Sequence, residues 1–402
     1  MHFILINQYY PPDVAPTGLM LEAVAQAMMK RGHQVTVLCA EGGYGGSRTS
    51  GKNSHFSRAG IRIERIRATG FGRGSAVAKL ADYLTFYLGV ALKLATLKPR
   101  PDRVVALTTP PYLSVLARLI SKLRGADHAH WVMDLYPDVM MAHGMLRKRS
   151  LAARLLQWLA RFGFGGRRCR MVMSLGPDMD ERVRTYVKPD TLHAWVPLWG
   201  TTEEATTPGT ALSADNAPSR HGKEPLVLMY SGNMGLGHCF SGFLDAAATS
   251  GSGFLWRFNG EGKRRREIEA FMQAHPNAPI ELGGYVPHSK LAHHLASADV
   301  HLASLDPGWN GTMVPSKLQG IFTIGKPVIF VGSRTGTMGQ WITESVGGWV
   351  VPPGDTDAMR HALRQASDPR QRAIRGEAAR RFAGQHFNRT RNADQIAEFF
   401  CR

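Results

Sequence analysis

The sequence predicts an α/β protein built from two domains, each a parallel sheet covered by helices. Three observations support this fold class. Short apolar runs alternate with helical patterns along residues 1–200, a polar segment interrupts them at 201–225, and the alternation then restarts. The chain of 402 residues is long enough for two hydrophobic cores, and its hydrophobic content of 44% is ordinary for a globular protein.

Apolar runs in the first half predict strands, and helical patterns separate most of them. One helix is predicted from Thr17 to Lys30, because Arg31-Gly32-His33 follows it as an end signal. Short strands that alternate with helices are typical of a parallel sheet with both faces covered. The predicted strands are FILIN (3–7), QVTVLCA (34–40), IRIERI (61–66), RVVALTT (103–109), HAHWVMD (128–134) and MVMSL (171–175).

The segment 201–225 is rich in Thr, Ser, Ala and Pro and has no apolar period, which predicts a linker. The predicted domains are therefore 1–200 and 226–380, and the C-terminal helix 381–402 is expected to pack back on the first domain. Helices are predicted throughout residues 360–400. Ligands bind at the carboxyl ends of parallel strands, so the two sheets are expected to face each other across a cleft. The strands predicted after the linker are LVLMYSG (226–232), FLWRFNG (254–260), IELGGYV (280–286), DVHLASL (299–305) and KPVIFVG (326–332).

The charge is concentrated in the first half of the chain. Residues 1–200 carry 28 Lys and Arg against 13 Asp and Glu, whereas residues 201–402 carry 21 against 18. Such a basic half fits nucleic acid, an anionic membrane surface or a phosphorylated substrate. Nucleic acid fits least well, because no binding motif is present and aromatic residues do not interleave with the basic ones.

Cysteine usage and the amino terminus predict a cytoplasmic protein. The four cysteines lie far apart, without the spacing of a disulfide framework or a zinc site, so packed thiols are expected. No signal peptide is recognisable after Met1.

Three loops between strands and helices are candidate ligand sites. In NQYYPPDVAPTG, Thr17 and Gly18 stand at a helix start, where backbone N–H groups and the helix dipole suit a phosphate. The alternative is a proline-stiffened turn with Thr17 as N-cap. The motif GxGxxG is absent, which argues against an NAD-type domain. In YSGNMGLGH, Gly232, Asn233 and Gly235 form a similar small-residue turn.

The third loop, PGWNGTMVPSKLQGIFTIGKPVI (307–329), leads into a helix predicted to begin near Pro315-Ser316. Lys317 lies in the first turn, where a cation opposes the helix dipole, so a bound anion would explain it. The alternative is a lysine that extends into solvent. In the first half, Asp134 of WVMDLYPD follows an apolar strand and is the candidate for orienting an acceptor hydroxyl or taking its proton. The alternative is a cap of the next turn. His130 is expected to be a core histidine with its hydrogen bonds satisfied rather than a catalytic one.

Several motifs together resemble glycosyltransferase family 4 and its GT-B fold, in the branch of bacterial surface-polysaccharide synthesis. They span nearly the whole chain in the expected order. The motifs are INQYYPPDVAPTG, DLYPD (134–138), LMYSGNMGLGH, NGEGKRRREIE (259–269), GYVPHSKL (284–291), ADVHLASL (298–305), VPSKLQGIFTIGKPVIF and GGWVVPPGD (347–355).

The resemblance implies retaining transfer of a sugar from a nucleoside-diphosphate donor, without a cofactor or an obligatory metal. It places the donor in the C-terminal half and the acceptor in the N-terminal half. Its candidate catalytic residues are Asp134, Thr312 and Lys317. Its donor-binding residues are Thr17, Gly18, Gly232 and Asn233 around the diphosphate, Lys263 and Arg264 beside Lys317, Tyr285 and Val286 near the base, and Gly311, Met313, Val314 and Ser316 around the sugar and phosphate.

One departure from the family pattern concerns two glutamates, eight positions apart, that hold donor hydroxyls in many members. The corresponding positions here are Thr312 and Gly320, and Glu344 is either a substitute or an ordinary exposed helix residue. This departure motivates a non-catalytic alternative, a nucleotide-sugar-binding subunit of a polysaccharide assembly complex. A nucleotide-sugar 2-epimerase is a further alternative on the same fold.

Residues 147–170 predict a basic amphipathic helix. Leu, Trp and Phe residues from Leu151 to Phe162 share one face, and Arg and Lys are dense around them. Such a helix either covers a sheet or docks on the inner face of an anionic membrane. Docking would fit a polyprenyl-diphosphate-linked glycan acceptor. Residues 75–98 are also apolar, but Lys79, Asp82 and Lys93 argue against a spanning helix.

Overall fold

The computed structural model describes residues 1–13, 15–41, 55–58, 60–71, 76–200 and 224–402. These residues form two compact units. The first comprises Met1–Pro197, Gly311–Met313 and Thr390–Arg402, and the second comprises Leu198–Asn310 and Val314–Arg389. The predicted linker 201–225 lies outside the described residues, apart from its last two positions.

The first unit contains an eight-stranded sheet in the order β3-β4-β2-β1-β5-β6-β7-β8. All of its neighbouring strands are parallel except β3, which runs antiparallel to β4. The strands are His2–Ile6 (β1), Gln34–Ala40 (β2), His55–Arg58 (β3), Ile61–Ile66 (β4), Arg103–Ala106 (β5), Asp127–Trp131 (β6), Cys169–Ser174 (β7) and Leu192–Trp195 (β8). The helices are Pro16–Lys30 (α1), Ala76–Thr96 (α2), Leu113–Arg124 (α3), Asp138–Ala142 (α4), Leu151–Phe164 (α5) and Pro177–Arg184 (α6).

The second unit contains a six-stranded parallel sheet in the order β11-β10-β9-β12-β13-β14. Its strands are Leu226–Ser231 (β9), Phe254–Asn259 (β10), Ile280–Gly283 (β11), Val300–Ser304 (β12), Val328–Val331 (β13) and Gly348–Val351 (β14). Its helices are Ser241–Thr249 (α7), Arg265–Ala274 (α8), Leu291–Ala296 (α9), Lys317–Thr323 (α10), Thr337–Ser345 (α11), Thr356–Ser367 (α12) and Pro369–His386 (α13).

Both sheets confirm the predicted α/β fold class. In each, the strands that read as apolar runs are buried, because helices cover both faces of a parallel sheet. The core of the second unit packs large rings such as Trp256 and Phe258 against aliphatic side chains of neighbouring strands and helices. The core of the first unit packs β1, β2 and β5 against α2 and α3.

The last helix, Arg389–Cys401 (α14), packs in the first unit although it follows the second in sequence. Arg103 of β5 donates a hydrogen bond to the carbonyl of Phe400, and Arg31 is ion-paired with Asp394. Nδ2 of Asn392 donates to the carbonyl of Pro197 at 3.0 Å. These contacts hold the end of the chain against the first sheet.

Each sheet has a point where the strand order reverses, between β1 and β5 in the first unit and between β9 and β12 in the second. Loops that leave neighbouring strands in opposite directions open a crevice at such a point, and α/β proteins bind ligands there.

Candidate functional site

In the second unit, β9 ends at a loop that brings glycine against a lysine. Gly232 has a φ of 125°, a conformation that side chains with a Cβ rarely adopt. Its N–H donates to the carbonyl of Asn259 at 2.9 Å, which ties the loop to the end of β10. A Cβ at this position would lie 3.0 Å from Cε of Lys317. The loop therefore needs glycine to leave room for the lysine.

Lys317 is fixed beside this loop by polar and aromatic contacts. Its Nζ lies 3.3 Å from the carbonyl of Asn233, 3.2 Å from Nε2 of His238 and 5.0 Å from the centre of the Tyr230 ring. Burial lowers the pKa of Lys317 to about 7. Because desolvation disfavours the isolated ammonium, a bound anion would interact more strongly with this lysine than with a solvent-exposed lysine.

His238 is a site residue that the sequence analysis did not single out. It is 4% exposed, and its Nδ1 lies 2.7 Å from the carbonyl of Ser304 at the end of β12. Nδ1 must carry the proton to donate to that carbonyl, so Nε2 is the acceptor that faces Lys317. Burial first, and Lys317 second, lower the pKa of His238 to about 3. The histidine is therefore a neutral acceptor that holds the lysine at the point where the strand order reverses.

Arg264 supports the same loop from the other side. Its guanidinium donates to the carbonyl of His238, and its backbone N–H donates to the carbonyl of Met234 at 3.0 Å. Lys263 is exposed. Tyr285 is 60% exposed and its hydroxyl lies 3.4 Å from the carbonyl of Glu261, with half-buried Val286 next to it. Arg264 thus contacts the loop directly, whereas Lys263 extends into solvent.

The loop before α10 is divided between the two units. Gly311, Thr312 and Met313 pack in the first unit, whereas Val314 and Ser316 belong to the second. The N–H of Gly311 lies 3.2 Å from Oδ2 of Asp178, and Thr312 is fully buried with its carbonyl accepting from the N–H of Leu135 at 2.8 Å. The sequence analysis had assigned these residues to the domain 226–380.

The helix α10 begins at Lys317, and exposed Ser316 is its N-cap without a side-chain hydrogen bond. The helix has seven residues. The contacts with Asn233 and His238, in addition to the start of this short helix, fix the position of the Lys317 side chain.

Asp134 follows β6 in the first unit, beside the point where the strand order reverses. Its N–H donates to Oγ1 of Thr108 at 3.1 Å, and residue 134 forms an isolated antiparallel bridge with Met313. Burial raises the pKa of Asp134 to about 6. The carboxyl is thus a stronger base than an exposed aspartate while remaining largely ionised at neutral pH.

The loop that precedes α1 has a different geometry. The helix begins at Pro16 with Ala15 as N-cap, so the alternative of Thr17 as N-cap is wrong. Oγ1 of Thr17 instead accepts from Nδ2 of Asn7 at 3.3 Å. A Cβ on Gly18 would lie 3.0 Å from the carbonyl oxygen of Tyr9. Close packing of the helix on its own loop is therefore one reason for glycine at position 18.

Other residues discussed from the sequence have structural partners or lie at the surface. Asp138 is ion-paired with Arg182 at 2.7 Å and accepts from the hydroxyl of Tyr186 at 2.5 Å. Glu344 is exposed on α11, as expected of an ordinary helix residue. His130 is buried in the core as expected, but its hydrogen bonds are not satisfied as predicted, because neither ring nitrogen has a regular partner among the described residues. Burial lowers its pKa well below the usual value.

The surface of the first unit carries exposed apolar side chains on three helices. The helix α5 buries only small residues and Phe164, whereas Leu151 and Trp158 are 82% and 57% exposed. Helix α3 packs against both α2 and α5. The exposed side chains, here called the apolar surface, are Val77, Leu80, Leu84, Leu88 and Leu92 of α2, Leu119 and Leu123 of α3, and Leu151, Leu155 and Trp158 of α5. Along the described part of the chain, none of the helices combines the length and hydropathy needed to cross a bilayer.

Comparison with known proteins relates the chain to glycosyltransferases. Residues 17–199 match a family described as glycosyl transferase 4-like domain. A probable glycosyltransferase, WbjE of Pseudomonas aeruginosa, is 26% identical over 275 residues, which are 68% of each chain. The match confirms the resemblance to family 4 that the motifs indicate.

Solved structures support the same fold. WaaG, a glycosyltransferase involved in lipopolysaccharide biosynthesis, is 16% identical and superposes with a TM-score of 0.65 over 99% of both chains. Anabaena Alr3699/HepE in complex with UDP and glucose is 14% identical, with a TM-score of 0.70 over 100% of this chain and 99% of that one. At these identities the structures establish the fold, which is that of GT-B glycosyltransferases.

Proposed function

Because the chain is a glycosyltransferase with the GT-B fold, we propose that it moves a sugar, with retention of configuration, from a nucleoside-diphosphate donor to a lipid-linked glycan. The observation that carries the donor half is the Lys317 ammonium held between the carbonyl of Asn233 and Nε2 of His238. HepE, a protein with the same fold, was crystallised with UDP-glucose. The second unit is thus the proposed donor domain.

The proposed role of Lys317 follows from the negative charge that develops on the donor during sugar transfer. When the bond between the anomeric carbon and the donor phosphate breaks, negative charge accumulates on the leaving diphosphate. Lys317 and the backbone of the Gly232–Asn233 loop are already fixed, so they stabilise that charge without reorganising. Arg264, which holds the carbonyl of His238, keeps the loop in this conformation. These groups supply the stabilisation that a metal ion supplies in other transferases.

The remaining donor contacts are proposed by motif. Gly311, Met313, Val314 and Ser316 would contact the sugar and phosphate, and the buried Thr312 would position this loop through its backbone. Tyr285 and Val286 would lie against the base, and Lys263 would approach the phosphates from solvent. Thr17 and Gly18 would approach the diphosphate.

The first unit is the proposed acceptor domain. In a retaining reaction the acceptor hydroxyl must be oriented and must lose its proton as the new glycosidic bond forms. Asp134 has a raised pKa and lies at the carboxyl end of β6, where this sheet offers its ligand crevice. It would hold the acceptor hydroxyl, and the proton would pass to Asp134 or to the leaving phosphate.

The apolar surface supports a lipid-linked acceptor and contact with an anionic membrane. Its leucines are exposed on three helices, of which α3 packs against both α2 and α5. Near the start of α5, four basic side chains are also exposed: Arg147, Lys148, Arg149 and Arg154. Exposed apolar side chains on neighbouring helices, with basic side chains close to them in sequence, suit the interface of an anionic bilayer. Such docking would place the enzyme at the inner face of the cytoplasmic membrane, in surface polysaccharide synthesis of the kind in which WaaG is involved.

Calorimetric titration of the purified protein with UDP, GDP, dTDP and ADP tests the donor site. We expect one nucleotide to bind, and Lys317→Ala to weaken it at least tenfold while the exposed control Lys290→Ala leaves its Kd unchanged. If the folded protein binds none of the four in the presence of acceptor lipid, the donor site is wrongly placed. Binding without sugar transfer to any lipid acceptor would instead favour a non-catalytic subunit.

Flotation with vesicles tests the membrane contact separately. We expect binding to vesicles that contain anionic lipid and little binding to neutral ones, with the double substitution Leu155→Asp and Trp158→Asp reducing it. The matched control is Ile374→Asp, an exposed apolar residue of α13 in the second unit. Equal flotation of all three proteins would contradict the proposed contact.

A further inference from the structure

A buried cluster of two histidines and one cysteine lies in the core of the first unit. His128 and His130 are two residues apart on β6, so their side chains project from the same face of the sheet. Cys169 begins β7 directly opposite His128. The ligand-capable atoms of the three side chains all lie within 4.8 Å of one another.

The two imidazoles lack the hydrogen bonds that buried polar groups normally make. Both residues are 1% exposed, and within the described chain neither Nδ1 nor Nε2 of either ring has a partner of normal geometry. The backbone of Gly165 and of Gly163 approaches the rings without forming such a bond. An unsatisfied buried polar group costs about 1–3 kcal/mol. Two unsatisfied rings side by side therefore indicate that something else binds them.

The local structure brings these side chains together. The pairing of β6 with β7 shifts register between His128 and Ala129, so that Cys169 pairs with His128 and Met171 with Ala129. The bulge places an extra residue, Arg170, on β7. Without that extra residue the register would set Arg170 opposite Ala129 and turn the following side chains of β7 to the other face. The shift begins after the His128–Cys169 pair, so the pairing of β6 with β7 itself sets Cys169 opposite His128.

We propose that His128, His130 and Cys169 bind a thiolate- and imidazole-preferring transition-metal ion, Zn²⁺ or Cu⁺, as a structural site in the core of the first unit. Neutral imidazole nitrogens and a cysteine sulfur are the ligands that both ions prefer. On binding, the Cys169 thiol loses its proton to solvent and the sulfur donates its electron pair to the ion. No oxidation or reduction is involved.

The dimensions allow such a site after a small adjustment. Ligand atoms around one zinc ion lie about 3.3–3.8 Å apart, given zinc–ligand bonds of about 2.0–2.3 Å. The cluster must therefore contract by about 1 Å, which rotation of the side chains about their χ angles can supply. His130 also lines a cavity of about 10 Å³, with Thr108 and Ser114 among its walls. That volume is about one water molecule, and His130 is the proposed ligand that borders it.

Charged side chains near the cluster affect both the thiolate and the bound ion. Arg118 lies close enough to His128 and Cys169 to influence both, and its guanidinium donates to the carbonyl of Phe162. It favours the thiolate but opposes a site with net positive charge. Cu⁺ with one thiolate is neutral, whereas Zn²⁺ with one thiolate carries one positive charge. Asp127 near His128 and Asp190 near Cys169 act in the opposite sense, so competition between the two ions decides which one binds this shared ligand set.

Cobalt substitution tests the site with a readout independent of sugar transfer. The reduced full-length protein is titrated with Co²⁺, which gives a thiolate-to-cobalt charge-transfer band in the near ultraviolet only when sulfur is a ligand. We expect about one equivalent and a band that Cys169→Ser abolishes. Cys39→Ser is the matched control, because Cys39 is an equally buried thiol of the first unit with no histidine cluster around it in the described structure.

Native mass spectrometry after equilibration with Zn²⁺ or with Cu⁺ under reducing conditions provides the second measurement. It needs no variant, so it remains decisive if Cys169→Ser fails to fold. Retention of about one ion of either metal supports the site, and competition between them identifies the ion. The proposal is overturned if the folded wild-type protein retains neither ion and shows no band, or if the band persists in Cys169→Ser.

Discussion

The carboxyl edges of the two sheets carry opposite chemistry. At the edge of the second sheet, Lys317 lies against Gly232 with its Nζ held by His238. At the edge of the first sheet, Asp134 presents a carboxyl and Gly18 is packed against the backbone of its own loop. The edge of the second sheet therefore offers a fixed lysine beside the glycine backbone, and the edge of the first sheet offers a carboxylate base.

The two glycines after the central strands have different roles, although their sequence contexts are similar. In both units a glycine follows the central strand near the point where the strand order reverses, Gly232 in the loop after β9 and Gly18 in the first turn of α1 after β1. Only Gly232 has a positive φ and a cationic side chain next to it, whereas the space above Gly18 is filled by Tyr9 and Tyr10. A glycine between strand and helix indicates close approach, but the approaching group can be the protein itself.

Removing the lysine should have the largest effect. Lys317→Ala removes a charge aimed at the leaving diphosphate, so we expect kcat/KM to fall by about 10²–10³, the range found when one such group is lost. Steady-state kinetics with the identified donor measure this, with Lys290→Ala as control. A loss below tenfold would mean that the second sheet stabilises the leaving group by other means.

Removing the carboxyl should have the next largest effect and a different signature. Asp134→Asn keeps the size of the side chain but removes the base, and we expect kcat to fall about 10²-fold while nucleotide binding is unchanged. The pKa of about 6 also predicts that the wild-type rate falls as pH drops below about 6, because the carboxylate is then protonated. If the acidic limb persists in Asp134→Asn, another group is responsible.

The two glycines offer a direct test of the comparison. Gly232→Ala places a Cβ 3.0 Å from Cε of Lys317 and strains a φ of 125°, so nucleotide affinity should fall about tenfold. Gly18→Ala places a Cβ against the backbone of Tyr9 and Tyr10, which should lower the free energy of unfolding by about 1–3 kcal/mol.

Calorimetry for binding and thermal unfolding for stability separate these outcomes. We expect Gly18→Ala to leave the nucleotide Kd nearly unchanged once the protein is folded. A large loss of affinity in Gly18→Ala at unchanged stability would place the ligand at Gly18 and remove the distinction between the two loops.

The histidine that holds the lysine should have a smaller effect. His238→Ala removes the acceptor for Lys317, and we expect a several-fold loss of nucleotide affinity. In His238→Gln the amide oxygen can still accept from the ammonium, so affinity should recover partly. Equal losses in both variants would indicate that His238 acts through packing alone.

Structural features that depend on residues close together in the sequence could be predicted from it, whereas features that depend on residues far apart could not. Periodicity predicts β9 through β13 within one to three residues, because each strand is a local apolar run. It misses β3, β8 and β14. Of these, β8 is an edge strand that is partly exposed and therefore not strongly apolar. A helix does form inside the predicted range 147–170, from Leu151 to Phe164, but only the structure shows that apolar side chains of this helix are left exposed.

Features that depend on distant partners could not be predicted from the sequence. His238 acts because a carbonyl 66 residues away fixes its tautomer. Gly311 packs in the first unit because its N–H bonds Asp178, 133 residues earlier. The cysteines were expected to be simple packed thiols because no local spacing suggests a metal, yet neighbouring strands bring Cys169 beside two histidines.

The smallest effect we predict is a proton taken up on nucleotide binding. With a pKa of about 7, Lys317 is mostly neutral in the empty site at pH 8. A bound diphosphate favours the ammonium and raises that pKa, so binding at pH 8 should take up nearly one proton, and less at pH 6, where the lysine is already charged. Calorimetry in buffers of different ionisation enthalpy measures the uptake. The proton uptake should vanish in Lys317→Gln. If it persists in that variant, a group other than Lys317 takes up the proton when the nucleotide binds.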